Sequence, residues 1–197
     1  LRQLSQENDR AGVYPEQTID LLRQGGMLSV ALPRALGGLG FGEEVGLAEY
    51  FNLIAKLGSA CSSTAQICSA HCNALLTIRQ LGAPGQLERY APRVNSPGEL
   101  FCFVGSETTD RFDASGNRVS FSSVAERLES GWEMNARKSF ATGSPGARWS
   151  LVHCYDQHET GPEGWLLVAV DLTADNVSAI NDWDNMGQRA TASGKLH

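Results

Sequence analysis

The chain has 197 residues, 42% of them hydrophobic, and carries a formal net charge of −6 from 16 basic and 22 acidic residues. This length and composition suit a packed globular protein of one large domain or two small ones. The acidic balance provides no electrostatic footprint for a polyphosphate, so we expect no nucleic-acid partner.

Neither the apolar segments nor the cysteines indicate a secreted or membrane protein. No apolar run reaches the roughly 18 residues that a membrane-spanning helix needs, and residues 1–8 lack the apolar core of a signal peptide. The five cysteines are an odd number, and Cys61, Cys68 and Cys72 fall along one stripe of a predicted helix. We therefore expect a cytoplasmic protein with reduced cysteines and no membrane association.

Apolar residues recur at spacings of three and four across the first half of the chain, which is the period of an amphipathic helix. The pattern predicts four helices: one that begins after Pro15, one over residues 45–57, one over residues 62–81 and a short one over residues 84–90. The glycine-rich segment 37–42 suggests a dinucleotide fingerprint, but such a fingerprint follows a strand, and here a predicted helix precedes it. We interpret the segment as a tight turn between helices.

The third predicted helix carries three residues that could bind a metal, Cys68, His71 and Cys72. A closed zinc site needs four ligands, and no second pair with ligand spacing occurs in the sequence, so we expect no metal. His71 lies on the same stripe as Ile67 and Leu75. The sequence leaves two interpretations of it open: a core histidine with a hydrogen-bonded nitrogen, or a histidine that faces a substrate cavity.

The second half has short runs of aromatic and β-branched residues separated by polar, glycine-containing turns, a pattern typical of strands. The predicted strands cover residues 100–104, 119–127, 132–141, 149–155 and 165–172. Their spacing favours a compact antiparallel barrel or sandwich. The sequence therefore predicts an α+β protein with an all-helical domain over residues 1–97 and a β domain over residues 98–197. Residues 191–197 resemble the start of another strand, so we expect the β domain to be incomplete at its C-terminal end.

Two predicted strands end in the same residue types: an aromatic ring, small residues and a hydroxyl. They contribute Phe103, Gly105 and Ser106 from segment 101–107, and Phe140, Ala141 and Thr142 from segment 138–143. A flavin is a flat ring system with acceptor atoms at its edge, so it needs an apolar face and fixed donors. These residue types favour a flavin site, and two ordinary strand ends are the alternative.

The chain resembles the acyl-CoA dehydrogenase superfamily in three motifs that occur in the same order. These are GGMLSVALPRALGGLG over residues 25–40, the helix pair from His71 to Pro92, and GWEMNARKSFATG from residue 131. The resemblance implies a helical N-terminal domain, an antiparallel β-barrel middle domain and a C-terminal four-helix bundle absent from this chain. Flavin, as FMN or FAD, is expected between the barrel and the bundle.

The resemblance also implies roles for individual residues. The ring of Phe140 is expected to pack on the flavin, the hydroxyl of Thr142 to lie near the N5 edge, and Ser106 to hydrogen-bond the pyrimidine edge. Phe103, Gly105 and Ala141 complete the expected cofactor contacts, and Lys138 is a strand residue that need not touch phosphate. His71 is expected on the substrate side, and Arg189 at a turn of the barrel as an ion-pair anchor.

The sequence departs from the dehydrogenase pattern at two places. Residues 106–111 read SETTDR where the family usually continues Thr-Glu-Pro and then Gly-Ser-Asp, and residues 183–194 are similar to the two-component flavin monooxygenases that act on dibenzothiophene and sulfones. This resemblance implies a monooxygenase that takes reduced flavin from a partner reductase and uses O2 on a small organic, organosulfur-type substrate. A homodimer or homotetramer is the usual assembly in the family.

Two alternatives remain open from the sequence. The first is an acyl-CoA dehydrogenase with permanently bound FAD, whose catalytic glutamate usually lies in the bundle and has no counterpart in this chain. The second is a non-catalytic member of the superfamily that acts as an interaction module.

Overall fold

The computed structural model describes residues 1–42, 44–107, 111–116, 118–120, 122–129, 131–159 and 162–197. Its helices are α1 (Arg2–Ala11), α2 (Glu16–Gln24), α3 (Leu47–Ala60), α4 (Ser62–Leu81) and α5 (Gln86–Asn95). Helices α2 to α5 confirm the four predicted ones. Helix α1 was not predicted, because it buries none of its residues and so carries no apolar stripe to detect. In the part of the chain that the structure describes, no helix is both long and apolar enough to cross a membrane.

Helix α4 is the central element of the helical half. It contacts α3, strand β1 (Phe101–Val104) and the short 3-10 turn Arg189–Thr191. Its buried face consists mainly of small residues, Ala, Ser, Thr and Cys, with Ile67, Leu75 and Ile78 among them. Small side chains let neighbouring elements approach closely, so α4 can be covered on several sides.

Nine strands make up the second half. They are β1, β2 (Arg111–Phe112), β3 (Arg118–Ser120), β4 (Val124–Leu128), β5 (Gly131–Asn135), β6 (Trp149–Asp156), β7 (Trp165–Asp171), β8 (Ala179–Ile180) and β9 (Lys195–Leu196), all within the described residues. Strand β6 is the centre of a five-stranded sheet, and β7 pairs antiparallel along its length. On the other edge of β6, β1 pairs with residues 149–152 and β4 with residues 155–156, both in parallel, and β5 follows β4.

This topology corrects the predicted antiparallel barrel. The sheet is mixed, and the described strands form no closed barrel. Alternation of apolar and polar residues identifies a strand but not its partner, and β1 finds its parallel partner 48 residues further along the chain. The run predicted over residues 119–127 is divided between β3 and β4, and the run predicted over residues 132–141 ends as a strand at Asn135.

One hydrophobic core joins the helices to the sheet. It contains Ile19 and Leu22 of α2, much of α4, and Phe101 and Leu151 of the sheet. Its aromatic centre is formed by Tyr90, Phe101 and Trp149, with ring centroids 5.1 to 6.3 Å apart. The helices end at Asn95 and the strands begin at Phe101. A domain boundary near residue 97 stays a prediction, because the core is continuous across that point.

His71 belongs to this core. Its side chain is 0% exposed, its Nε2 lies 2.8 Å from the carbonyl oxygen of Leu28, and its Nδ1 accepts the Phe101 N–H at 3.0 Å. Since Nδ1 accepts, Nε2 carries the proton and donates to Leu28, and the ring is neutral. Both nitrogens are therefore committed to the fold. The expectation that His71 faces a substrate is corrected in favour of the core histidine that the sequence also allowed.

A second, smaller core lies on the other face of β1. It contains Val104, Ala141, Val152 and Leu196. Residues 138–143 form the outer layer of this core. They run antiparallel to residues 191–196. Four backbone bonds hold the two segments together: Lys138 N–H to Leu196 O at 2.8 Å, Leu196 N–H to Lys138 O at 3.0 Å, Ala141 N–H to Gly194 O at 3.0 Å, and Gly143 N–H to Thr191 O at 2.9 Å.

A buried ion pair fixes the end of β1 against this layer. The ammonium of Lys138 lies 2.8 Å from Glu107 Oε1, and the two side chains are 0% and 1% exposed. Ser122 donates its N–H and hydroxyl to the same carboxylate at 2.7 Å, and Ser123 donates its N–H at 3.0 Å. Burial alone would raise the pKa of Glu107, but Lys138 and the serine donors hold that pKa well below its usual range. The lysine of this segment is directed to a carboxylate within the fold.

We expect the variant Lys138→Met to lose about 3–5 kcal/mol of unfolding free energy, because it leaves the Glu107 carboxylate buried without its counter-ion. The double variant Lys138→Met with Glu107→Gln should recover part of that loss, because it removes the buried charge but replaces one of the two oxygens that accept the serine N–H groups. Denaturant unfolding measures both. The matched control is Lys195→Met, which removes the exposed partner of Asp182 and should cost less than about 1 kcal/mol. Equal effects of the two lysine substitutions would contradict the structure.

Burial lowers the pKa of His71 from 6.5 to about 4. The unfolded chain therefore takes up a proton at pH values where the folded chain does not, and stability falls as the pH drops from 6.5 to 4. We expect this residue to contribute about 1.4 kcal/mol per pH unit in that window. In a plot of unfolding free energy against pH, the variant His71→Gln should lack this contribution to the slope. The variant His158→Gln, which changes an exposed histidine, should keep it. A slope unchanged by His71→Gln would show that the histidine is not buried in its neutral form.

Candidate functional site

The two strand ends that the sequence singled out lie side by side. Ser139 donates its N–H to the carbonyl oxygen of Ser106 at 3.0 Å, and Lys138 Nζ lies 3.3 Å from the carbonyl oxygen of Gly105. The segment after β1 thus meets the segment after β5 at one place. We call the surface formed by Ser106, Phe140 and Thr142 the rim.

The rim presents one aromatic ring and two uncommitted donors. The side chain of Phe140 is 59% exposed, and Ser106 is exposed. Among the described residues, neither the Ser106 hydroxyl nor the Phe140 N–H has a hydrogen-bond partner. Ala141 is buried beneath them, and Thr142 is 9% exposed. The rim therefore offers a flat apolar surface with polar groups at its edge.

Phe103 lies on the opposite face of β1 from Val104, and Gly105 follows the strand. The ring of Phe103 lines a cavity of about 620 Å³ between the end of α4 and strands β6 and β7. A Cβ added to Gly105 would lie 3.7 Å from the ring of His153, which also lines this cavity. Four of the six predicted cofactor residues, Ser106, Phe140, Ala141 and Thr142, are thus gathered at the rim or directly under it, while the Phe103 side chain is directed away.

Backbone strain is concentrated beside the rim. Among the described residues, the non-glycine residues with positive φ are Phe140 at 59°, Gln188 at 51° and Ala192 at 46°. The left-handed conformation costs such residues roughly 1–2 kcal/mol each. All three lie on the adjoining segments 138–143 and 188–194. Strain of this kind persists where the surrounding contacts enforce it, and it gathers at functional sites.

Hydrogen bonds converge on the carbonyl oxygen of Gln188, one of the three strained residues. It accepts three bonds: from Thr191 N–H at 3.1 Å, from the Thr191 hydroxyl at 2.9 Å and from Trp183 Nε1 at 3.1 Å. The half-buried Trp183 ring in turn meets Phe140 edge to face, with centroids 5.9 Å apart and planes at 76°. One carbonyl therefore positions the ring that supports Phe140.

A chain of hydroxyls leads from the same carbonyl to Thr142. Ser193 Oγ donates to Thr191 Oγ1 at 2.7 Å, and Thr142 Oγ1 lies 2.9 Å from Ser193 Oγ. Each hydroxyl has one proton. Thr191 uses its proton on Gln188 and Ser193 uses its proton on Thr191, so Thr142 is the donor in the third bond. We call Thr142, Ser193, Thr191 and the Gln188 carbonyl the hydroxyl relay.

The segment after residue 182 is also held by Arg189, as the resemblance implied. Its Nη1 lies 3.2 Å from Asp184 Oδ1, and its Nε donates to the carbonyl oxygen of Asp9 at 3.2 Å. Arg189 is an ion-pair anchor that joins this segment to α1. Sequence reasoning did not assign roles to Trp183, Gln188, Thr191 or Ser193. The only signal for them was the likeness of residues 183–194 to a monooxygenase tail.

Two further expectations concern the dehydrogenase pattern and the possible metal ligands. The difference from the dehydrogenase pattern over residues 106–111 falls partly on residues 108–110, which lie outside the described residues. Cys68 and Cys72 are buried in α4, and no group of three or more metal-binding side chains occurs among the residues that were described.

Comparison with known proteins connects this arrangement to a family. Residues 1–97 match the family described as "Acyl-CoA dehydrogenase, N-terminal domain". The "Probable FMNH2-dependent monooxygenase SfnC" of Pseudomonas putida is 27% identical over 192 residues, which cover 98% of this chain and 44% of the relative. The cyclohex-1-ene-1-carbonyl-CoA dehydrogenase of Geobacter metallireducens is 27% identical over 190 residues, with 96% and 48% covered.

A solved structure of a monooxygenase has the same fold over nearly the whole of this chain. The dibenzothiophene monooxygenase TdsC of Paenibacillus sp. A11-2, in complex with FMN and indole, superposes with a TM-score of 0.84 at 26% identity, covering 99% of this chain and 46% of that one. The chain thus spans about half the length of the relatives it matches. Residues 1–97 belong to the acyl-CoA dehydrogenase N-terminal domain family, and the predicted resemblance of the chain to the flavin monooxygenase branch of that superfamily is confirmed.

Proposed function

We propose that the chain is the flavin-binding part of a flavin-dependent monooxygenase that acts with O2 on a small organic substrate. The observation that carries this proposal is the rim. An exposed aromatic ring and two donors without a partner among the described residues lie there, Phe140 is one of three strained residues on the adjoining segments, and the relatives of the fold include an FMN-bound monooxygenase. Strain held in place beside an otherwise ordinary surface indicates a ligand site.

The residues at the rim fit the chemistry of a flavin. An isoalloxazine ring needs an apolar surface against one face, and the exposed Phe140 ring provides it. Its edge carries carbonyl and ring-nitrogen acceptors, and the Ser106 hydroxyl and the Phe140 N–H are donors without another partner among the described residues. The set of donors and the ring match what such a cofactor requires.

In the proposed reaction the residues orient the cofactor and leave the redox chemistry to it. A bound flavin supplies two electrons and the activation of O2. Phe140, supported by Trp183, would fix the plane of the ring, and Ser106 would fix its polar edge. Thr142 would contact the N5 edge. The buried pair Glu107–Lys138 would keep the two strand ends in register beneath the ring.

The substrate class and the partner are proposed by similarity. Relatives named for FMNH2 and for dibenzothiophene favour a reduced flavin supplied by a separate reductase and an organosulfur substrate. A homodimer or homotetramer stays a prediction.

An acyl-CoA dehydrogenase is the second candidate, since the Geobacter relative has that activity in its name. The two functions are separated by adding acyl-CoA thioesters, without O2, to the flavin-loaded full-length protein, including any bundle that carries the family's catalytic glutamate. A monooxygenase keeps its flavin absorbance under these conditions, and it oxygenates an organosulfur probe such as dibenzothiophene when a reductase, NADH and O2 are supplied. Bleaching by a thioester would decide for the dehydrogenase. A protein that stays colourless with FMN and FAD would decide for the non-catalytic interaction module.

We expect Phe140→Ala to weaken flavin binding roughly tenfold, because ring contacts of this kind contribute about 0.5–1.5 kcal/mol beyond the area that they bury. Quenching of flavin fluorescence on titration with the protein measures the Kd. Phe51→Ala is the matched control, since Phe51 is equally exposed, at 60%, on the outside of α3. If both variants bind flavin as tightly as the unmodified protein does, the ring of Phe140 is not part of the site.

A further inference from the structure

We propose that the cavity between the end of α4 and strands β6 and β7 is a second binding site, for a small, neutral aromatic molecule. Its volume of about 620 Å³ is within the range of roughly 300–1,000 Å³ that is usual for small-molecule sites. The residues that line it are different from those of the rim. The proposal therefore stands independently of flavin binding.

One wall of the cavity is a row of side chains across three neighbouring strands. Phe103 of β1 pairs with Leu151 of β6. His153 of β6 pairs with Leu167 of β7, and all four side chains line the cavity together with Trp165. The rings of His153 and Trp165 are in contact, with centroids 4.0 Å apart and planes at 41°. This wall presents three rings, which is a surface against which another aromatic ring packs favourably.

The opposite wall is the last turn of α4 and the turn that follows it. Ile78 is buried, whereas Leu81 is 73% exposed, so the cavity opens to solvent toward the C-terminal end of the helix. Gly82 allows the chain to pass closely over this end, because a Cβ added to it would lie 2.3 Å from the carbonyl oxygen of Ile78. Apolar side chains of the sheet and of the helix thus face each other across the cavity.

Two polar groups on the helix side can recognise a ligand. Gln86 Oε1 accepts the Ala83 N–H at 2.9 Å, which fixes the amide and leaves its NH2 group as a donor. The hydroxyl of Thr77 also lines the cavity. Among the described residues, neither that hydroxyl nor the Gln86 NH2 group has a hydrogen-bond partner. A few placed polar groups within an apolar lining are typical of small-molecule sites, where they fix the orientation of the ligand.

The lining also selects the charge of the ligand. Among the described residues, no carboxylate, ammonium or guanidinium group lines the cavity. An ion placed there would lose its hydration without gaining a counter-ion, and the net charge of −6 repels anions in addition. A neutral aromatic molecule buries its rings against the sheet wall without this cost. The cavity should therefore bind a neutral molecule more tightly than a charged one of the same shape.

The test uses two fluorescent probes with the same ring system. N-phenyl-1-naphthylamine is neutral, and 8-anilinonaphthalene-1-sulfonate carries a sulfonate. The rise in probe fluorescence on titration with the full-length protein gives the Kd of each probe. We expect the neutral probe to bind about tenfold more tightly than the sulfonate, because only the sulfonate has to be desolvated without a counter-ion.

Two substitutions locate the neutral probe. Trp165→Ala removes a ring from the sheet wall and should weaken binding roughly tenfold. Its matched control is Trp132→Ala, because Trp132 is exposed to a similar degree, 44% against 40%, on β5 outside the cavity. Thr77→Trp fills the cavity from the helix side and should abolish binding. Asn52→Trp, at an exposed position of α3, is the control for the added ring and should leave binding unchanged.

Several results would overturn this inference. They are equal affinity for the two probes, binding that is unchanged in Trp165→Ala and Thr77→Trp, and a neutral probe that is lost in Phe140→Ala, which would place it at the rim. Absence of binding to the full-length protein also overturns it, because the cavity is then filled or covered. If one cavity variant does not fold, the other decides. All of these results leave the proposed function in place, since binding of FMN and FAD tests that function separately.

Discussion

The fold around the candidate site depends on an ammonium group and a carboxylate that are both out of contact with solvent. Lys138 and Glu107 come from segments 31 residues apart, and their pairing sets where the end of β1 meets the layer formed by residues 138–143. A buried charge is tolerated only when it is paired and hydrogen-bonded, and the serine donors complete that requirement for Glu107. Any displacement of one segment relative to the other would separate the two charges. The pair therefore specifies the register of the rim.

The rim itself combines this rigid base with local strain. Phe140, Gln188 and Ala192 have backbone conformations that L-residues avoid, and three hydrogen bonds converge on the carbonyl oxygen of one of them, Gln188. The turn after Thr142 packs closely against α4. Gly143 has a φ of 75°, and a Cβ added to it would lie 3.0 Å from the side chain of Ile67. The helical half, the sheet and the segment after residue 182 thus all contribute to the position of Thr142 and Phe140.

Local sequence patterns predicted the helices well and the sheet only in part. The stripes of α2 to α5 are visible because each helix buries one face, whereas α1 buries none of its residues. The strands β6 and β7 were predicted from their apolar residues, but the parallel pairing of β1 with β6 depends on contacts between distant residues that periodicity does not encode. For His71 the sequence could not choose between core and cavity. The core position is shown by two hydrogen bonds of the imidazole, to the Leu28 carbonyl and from the Phe101 N–H. These partners are 43 and 30 residues away in the sequence.

The candidate site could be predicted from the sequence only through its residue types and through the resemblance to the acyl-CoA dehydrogenase superfamily. Ser106, Phe140 and Thr142 were identified in this way, but the partner of Lys138 and the direction of the hydroxyl relay follow from three-dimensional contacts alone. The most direct test of the account is a crystal structure of the full protein with FMN. The account predicts the isoalloxazine ring against Phe140, with Ser106 and Thr142 at its edge. A flavin ring bound elsewhere, for example in the cavity lined by Phe103 and His153, would contradict it.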